Sequence, residues 1–269
     1  MHVLILFFFL ATSTAYGGAN TYVVGVVPQF DSVQLYRVWR PILNYLQEKT
    51  GQKFKLRGAP TIPAFEKEFL RGSFDFSFMN PFHIIVAYNK QGYEPIIRDI
   101  STNLHGIVVV NKNNPIKDIS ELKGKIIAFP APNSLGATLM IKKDLLDKYG
   151  IKIKPYYVQT HSSVYLNVAL GLVVAGGGVQ KSLLQQPVEI REKLNIIYRT
   201  QDVASHPFSA HPRVPKRVKN AVAEALLLLG TTETGRKLLS KIPINVVGRA
   251  QIEDYQPIEK MKLERFYQQ

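Results

Sequence analysis

The chain has 269 residues, with 34 Lys and Arg, 20 Asp and Glu and no Cys, which leaves a net charge of +14. This length is typical of one or two domains. A content of 46% hydrophobic and 20% charged residues excludes a largely disordered protein. The lack of cysteine excludes disulfides and thiolate metal sites. The positive charge favours an anionic partner, which could be nucleic acid, anionic lipid or a small oxyanion.

Residues 1–19 have the pattern of a secretory signal peptide. Val3–Leu10 is a run of eight apolar residues, too short for a membrane helix, which needs about 20. The small residues that follow, around Ala15, suit a signal peptidase. An N-terminal core strand is the alternative, but three consecutive Phe before a small, polar stretch disfavour it. We therefore expect export to the periplasm as a free protein and not as a lipoprotein.

Export also disfavours nucleic acid as the anionic partner, because an exported protein meets little of it. The basic residues are dispersed, and the densest group of them is Pro212–Lys219. Dispersed Lys and Arg are typical of a solvated surface. We expect no binding to nucleic acid.

From Thr21 onward, strand and helix patterns alternate along the chain. The predicted strands are 21–27, 54–57, 75–79, 94–100, 104–111, 125–129, 156–159 and 195–200. The predicted helices are 31–50, 62–71, 81–92, 135–149, 164–170, 216–229, 233–242 and one near 255–267. Repeated alternation predicts an α/β protein with mostly parallel sheets and flanking helices.

The length and the order of these elements predict two lobes. The strands near 104–111 and 195–206 are candidates for crossovers between them. We expect lobe 1 to contain residues 20–105, lobe 2 to contain residues 106–204, and residues 205–269 to return to lobe 1 with the C-terminal helices.

Five segments, spread over nearly the whole chain after residue 20, carry a family resemblance. They are FDSVQLYRVWRPILNYLQEKTG, FLRGSFDFSFMNPFHIIVAY, DISELKGKIIAFPAPNSLG, THSSVYLNVALG and HPFSAHPRVPKRVKNAVAEALLLL. Their order resembles that of the periplasmic phosphate-, phosphonate- and phosphite-binding proteins of ABC importers.

The resemblance implies the type II periplasmic-binding fold, with two lobes and a ligand cleft between them. It also implies capture of a small phosphorus oxyanion by lobe closure, and delivery to an ABC permease in the inner membrane. A protein of this kind is a binding protein and not an enzyme, and we expect a monomer without a cofactor or a metal.

Turns from strand to helix supply the candidate ligand-binding residues. Helix N-termini present free N–H groups and a positive dipole end to an oxyanion, and open α/β sheets bind ligands at such turns. The candidates are Asn133, Ser134 and Gly136; His161, Ser162 and Ser163; Asn80, Phe82 and His83; and Gln29 and Phe30 after the first strand. Each hydroxyl or amide could instead serve only as a helix cap, His161 could be a solvated surface residue, and Phe82 could belong to the core.

Two departures from the family pattern leave the ligand open. Leu135 stands where the family has a hydroxyl, and Val174 stands where it often has Asp. A diverged ligand-sensing module that signals to a membrane receptor is therefore the alternative. His206 and His211 lack partners at metal-ligand spacing, which disfavours a metal site, and no recognised hydrolase motif is present.

Overall fold

The structure, a computed structural model of the chain, describes residues 20–29 and 31–268. The predicted signal peptide and Phe30 lie outside these residues. The strands are β1 (Thr21–Val26), β2 (Lys53–Arg57), β3 (Phe76–Phe78), β4 (Glu94–Asp99), β5 (Gly106–Asn111), β6 (Ile126–Phe129), β7 (Lys154–Tyr157), β8 (Ala175–Val179), β9 (Leu194–Arg199), β10 (Phe208–Ala210) and β11 (Val247–Arg249).

Helices flank both sheets that these strands form. They are α1 (Ser32–Thr50), α2 (Ile62–Leu70), α3 (Pro81–Gln91), α4 (Ile141–Tyr149), α5 (His161–Ala169), α6 (Gln180–Leu184), α7 (Val188–Arg191), α8 (Lys216–Thr231), α9 (Glu233–Leu239) and α10 (Gln256–Glu259). A π-helical segment, Leu135–Met140, leads into α4. No helix in the described ranges is both long and apolar enough to cross a membrane.

The strands form two separate sheets, which confirms the predicted two-lobed α/β architecture. The sheet of lobe 1 has the order β11-β4-β10-β3-β1-β2, and the sheet of lobe 2 has the order β7-β6-β8-β5-β9. The chain leaves lobe 1 after β4, builds the whole second sheet, and returns after β9. The outgoing and returning segments pair with each other where the N–H groups of Leu104 and Val203 each donate to the other's carbonyl at 2.8 Å.

Both sheets are mixed, whereas the sequence pattern predicted mostly parallel ones. β1 pairs in parallel with β2 and β3, and β6 pairs in parallel with β7 and β8. The strands next to the crossovers, β4, β5, β9 and β10, pair antiparallel with their neighbours. A strand that returns from the other lobe is not joined to its neighbour by a helical crossover, so nothing in the local α/β pattern fixes its direction.

Local signals place α1 well. The Asp31 carboxylate caps it by accepting the N–H groups of Val33 and Gln34, and Gly51 ends it in the left-handed region with φ of 67°. Pro41 lies within this helix, which nevertheless continues from residue 32 to residue 50.

The prediction of one long C-terminal helix near 255–267 is wrong. The chain there forms a 3₁₀ turn, the four-residue helix α10 and a second 3₁₀ turn, Leu263–Phe266. Lys262 interrupts the helical path with φ of 51°, in the left-handed region that a regular helix excludes. The last described residues therefore follow an irregular course over both lobes.

The glycine run Gly176–Gly178 lies within β8, at the centre of the second sheet. A Cβ at Gly176 would lie 2.5 Å from Val164, and one at Gly178 would lie 2.2 Å from the Tyr165 hydroxyl. Both of these neighbours belong to α5. The glycines thus allow α5 to approach the sheet closely, which places its first turn beside the end of β8.

We expect Gly106→Ala to lower the free energy of unfolding by about 1–3 kcal/mol, the usual cost of overpacking. A Cβ at Gly106 would lie 2.0 Å from the Gly136 carbonyl oxygen, and a backbone atom cannot move aside as a flexible side chain can. Urea unfolding followed by circular dichroism measures the change. Gly58→Ala is the control, because no atom lies within 4 Å of that Cβ. Equal losses in the two variants would contradict the packing argument.

Candidate functional site

A cleft opens between the lobes and encloses about 660 Å³, part of which is open to solvent. Both crossovers, the end of β1, the first turn of α5 and the turn from β8 into α6 contribute to its wall. The lining residues are Gln29, Thr102, Asn103, Leu104, His105, His161, Val179, Gln180, Lys181, Ser182, Gln185, Ser205, His206 and Pro243. We call this cavity the cleft.

His161 reaches the cleft because it is the first residue of α5. Thr160 caps this helix, and its hydroxyl accepts the N–H of Ser163 at 3.0 Å. The Nδ1 atom of His161 is buried and has no hydrogen-bond partner among the described residues. Burial lowers the pKa of its imidazole to about 4. A neutral imidazole and the positive, N-terminal end of α5 therefore lie together at the wall of the cleft.

His206 and Gln29 form the opposite, lobe 1 wall. The Gln29 side-chain amide lies 3.0 Å from His206 Nε2, so this nitrogen accepts and the neutral ring carries its proton on Nδ1. The His206 ring stacks on Phe78 with centroids 5.5 Å apart. Burial, reinforced by the nearby basic groups His83, His161 and Lys181, lowers the pKa of His206 to about 3. His206 is therefore neutral at physiological pH.

Lys181 follows β8 at the start of α6 and supplies a cation. Its Nζ atom is buried and has no hydrogen-bond partner within the described ranges. Burial lowers the pKa of this ammonium, while the charge of Asp99 acts in the opposite direction. The residue as a whole is of intermediate exposure, although its Nζ atom is buried.

Asp99 stands behind the cleft and does not line it. Its carboxylate accepts hydrogen bonds from the Ser101 N–H at 3.0 Å and hydroxyl at 2.7 Å, from the Thr102 hydroxyl at 2.7 Å and from the Val246 N–H at 3.2 Å. Burial raises the pKa of this carboxyl, but these hydrogen bonds outweigh that effect and hold the pKa below its ordinary value. Asp99 is therefore ionised, with both oxygens already occupied by donors.

At the rim of the cleft, His105 contacts polar side chains of the second lobe and of the returning crossover. Its Nε2 atom lies 3.1 Å from the side-chain oxygen of Gln180. Its Nδ1 atom lies 3.2 Å from both Arg199 and Asp202, which are themselves 2.8 Å apart. The carboxylate of Asp202 is thus paired at the rim.

Of the residues predicted from the sequence, the structure brings His161 and Gln29 into the cleft together. Ser162 is exposed beside His161, and the Ser163 hydroxyl lies 2.8 Å from that of Thr160. Gly136 packs against the second sheet, since a Cβ there would lie 2.8 Å from Val179. Ser134 is buried before the π-helical segment and makes no capping bond.

Asn80, His83 and Asn133 meet in a separate buried network. His83 Nε2 lies 2.9 Å from one oxygen of Glu66, and the Asn133 amide donates to the other oxygen at 3.0 Å. The Asn80 side chain lies 3.0 Å from His83 Nε2. Asn133 also donates to the Gln268 carbonyl at 2.7 Å. Ligand contact by these residues would require this network to open.

The predicted cap of α3 is present, although the helix begins in the interior. The Asn80 side-chain oxygen accepts the N–H groups of Phe82 and His83 at 2.9 and 2.8 Å. The Phe82 ring packs against Tyr267 with centroids 5.7 Å apart. The capping motif therefore predicts where the helix begins, but not which surface its first turn faces.

Lys181, His206 and Ser205 are cleft residues that the sequence analysis did not propose as ligand contacts. His206 follows the returning crossover, and a search for polar residues in that segment would have found it. Lys181 lies at the strand-to-helix turn from β8 into α6, a turn that the sequence analysis did not include among its candidates. Among the described residues, no group of three or more His, Asp or Glu side chains is arranged to hold a metal ion.

Comparison with known proteins points to one family. The sequence model of the family described as "ABC transporter, phosphonate, periplasmic substrate-binding protein" matches residues 24–255. The chain is 22% identical over 239 residues to the phosphate-import protein PhnD of Mycolicibacterium smegmatis, an alignment that covers 79% of this chain and 74% of that protein.

Solved structures show the same fold. A binding protein component of an ABC phosphonate transporter from Pseudomonas aeruginosa has a TM-score of 0.81 at 16% identity, covering 92% of this chain and 88% of that one. PhnD1 from Prochlorococcus marinus, in complex with methylphosphonate, has a TM-score of 0.80 at 17% identity, covering 91% of this chain and 98% of that one.

We expect the stability of the free protein to fall as the pH decreases from about 6.5 to about 4. The ordinary histidine pKa is 6.5, whereas in the folded protein it is about 4 for His161 and about 3 for His206. Over this range the unfolded chain takes up protons that the folded chain does not, so the stability present above pH 6.5 is lost as the pH falls.

Urea unfolding of wild type and His206→Gln at pH 7.5 and pH 5 measures this effect. The variant should lose less stability between the two pH values, because it lacks one of the two imidazoles whose pKa is lowered in the folded protein. An equal loss in both proteins would show that His206 titrates normally.

Proposed function

Because the chain belongs to the family of periplasmic substrate-binding proteins of ABC phosphonate transporters, we propose that its cleft captures a small phosphorus oxyanion: phosphate, phosphite or a phosphonate. The observation that carries this proposal is the pairing of His161 with the N-terminal end of α5 at the cleft wall. The single N–H group of a neutral imidazole and the free N–H groups of a helix N-terminus can both donate to oxyanion oxygens.

Both lobes would hold the ligand. Gln29 and His206 approach it from lobe 1, while His161 and Lys181 approach it from lobe 2. A ligand that contacts both walls stabilises the closed arrangement more than the open one, so binding drives lobe closure. The paired crossovers at Leu104 and Val203 provide the place about which the lobes would move.

Transport is the role that follows from this mode of binding. The protein would be exported to the periplasm, bind its ligand there by lobe closure, and deliver it to an ABC permease in the inner membrane. In this role the protein would act as a monomer, without a cofactor, and would catalyse no reaction. The alternative role, signalling to a membrane receptor, receives no support from the family match or from the curated relative.

Isothermal titration of the purified protein with phosphate, phosphite and methylphosphonate tests the proposal. We expect saturable binding of at least one of them at micromolar concentration or below. Sulfate belongs in the panel because it offers similar oxygens around a different central atom. Binding of sulfate alone, or of none of these anions, would overturn the assignment to phosphorus oxyanions.

We expect His161→Ala to weaken binding of the best ligand in this panel by about 1–3 kcal/mol, the usual range for a lost hydrogen bond to a charged group. Leu166→Ala is the matched control, since Leu166 is an exposed residue of the same helix and does not line the cleft. Unchanged affinity in His161→Ala, with the control also unchanged, would remove His161 from the binding site.

A further inference from the structure

Lys181 is the one Lys or Arg residue among the described residues that line the cleft. Its Nζ atom is buried and has no hydrogen-bond partner there. Burying a cation without a directly bonded counter-charge is costly, and the ionised Asp99 acts on Lys181 only from beyond ion-pair distance. A ligand that supplies this counter-charge would recover part of the cost on binding.

Carboxylates are absent from the described lining of the cleft. Asp99, which is close enough to influence Lys181, already accepts four hydrogen bonds. Asp202 pairs with Arg199 at the rim, and Glu66 pairs with His83 in the buried network. No carboxylate oxygen among the described lining residues is therefore available to a cationic group of a ligand.

The imidazoles of the cleft do not supply the negative charge that a cationic ligand group would need. His161 and His206 are half-buried, and the loss of hydration lowers the pKa of each enough to keep it neutral near pH 7. A neutral imidazole can accept a hydrogen bond from an ammonium, but it cannot neutralise the charge. Any ammonium held in this cleft would therefore be both buried and close to the like charge of Lys181, and both effects disfavour it.

We infer that the cleft selects oxyanions that carry no positive group, and that Lys181 sets this selectivity. The inference rests on the proposed function and adds to it the charge class of the ligand. Simple alkylphosphonates and inorganic oxyanions fit this class. Zwitterionic aminoalkylphosphonates are excluded from it.

Two ligands of the same length test the selectivity. Propylphosphonate and 2-aminoethylphosphonate differ only in whether a methyl or an ammonium group ends the chain. We expect propylphosphonate to bind the wild-type protein at least tenfold more tightly. Equal affinities, or tighter binding of the amino compound, would overturn the inference even if both ligands bind and the proposed function stands.

Substitution of Lys181 tests the assigned residue. Lys181→Met keeps a long side chain and removes the charge, so it should weaken methylphosphonate binding at least tenfold. It should also lower the ratio of the affinity for propylphosphonate to the affinity for 2-aminoethylphosphonate. Lys181→Glu should shift that ratio further toward the amino compound. A ratio that stays constant in both variants would show that Lys181 does not set the selectivity.

Lys112→Met is the control for the general positive field of the protein. Lys112 is an exposed residue outside the cleft, so its loss should leave the ratio unchanged. Thermal unfolding of each variant shows whether the protein remains folded. If the folded wild-type protein binds no phosphorus oxyanion at all, the proposed function fails and the selectivity claim fails with it, which is a different result from binding without selectivity.

Discussion

The cost of burying charge governs the organisation of this protein around its cleft. Lys181 holds an ammonium in the wall without a carboxylate beside it, while nearby Asp99 is saturated by hydrogen bonds from its own lobe and crossover. Removing charged groups from water costs several kcal/mol unless partners replace the water. Charges elsewhere in the interior, such as Glu66 beside His83, have those partners within the chain. In the cleft, by contrast, we infer that the bound anionic ligand supplies the partner of Lys181.

Close backbone packing positions the groups that form this cleft. Gly176–Gly178 allow α5 to lie directly on β8, and Gly106 and Gly136 allow the π-helical segment to approach β5. The first turn of α5 and the turn after β8 consequently line one wall. The opposite wall comes from segments far away in sequence, so the cleft exists only when the two lobes face each other.

Local signals predicted most of the fold and two of the residues that line the cleft, Gln29 and His161. The predicted helix 31–50 agrees closely with α1. The predicted helix 164–170 begins three residues later than α5, whose first residue, His161, lines the cleft. The strands β8, β10 and β11 escaped prediction. β8 consists largely of glycine, which is depleted in strands, and β10 and β11 have no alternating run like the one around β3. The cap at Asn80 could not reveal that α3 begins in a buried network, and the burial of Lys181 depends on tertiary contacts that no local pattern records.

The position of β10 has a consequence for how the chain folds after synthesis. In the first sheet β10 lies between β3 and β4, although about 110 residues separate it in sequence from β4. The second sheet uses only the continuous stretch from β5 to β9 and can complete all its pairings earlier. Until residues 208–210 are synthesised and paired, the facing edges of β3 and β4 lack the strand that lies between them. Unpaired strand edges of this kind can associate with other chains. High contact order in lobe 1 thus makes it the slower half to mature.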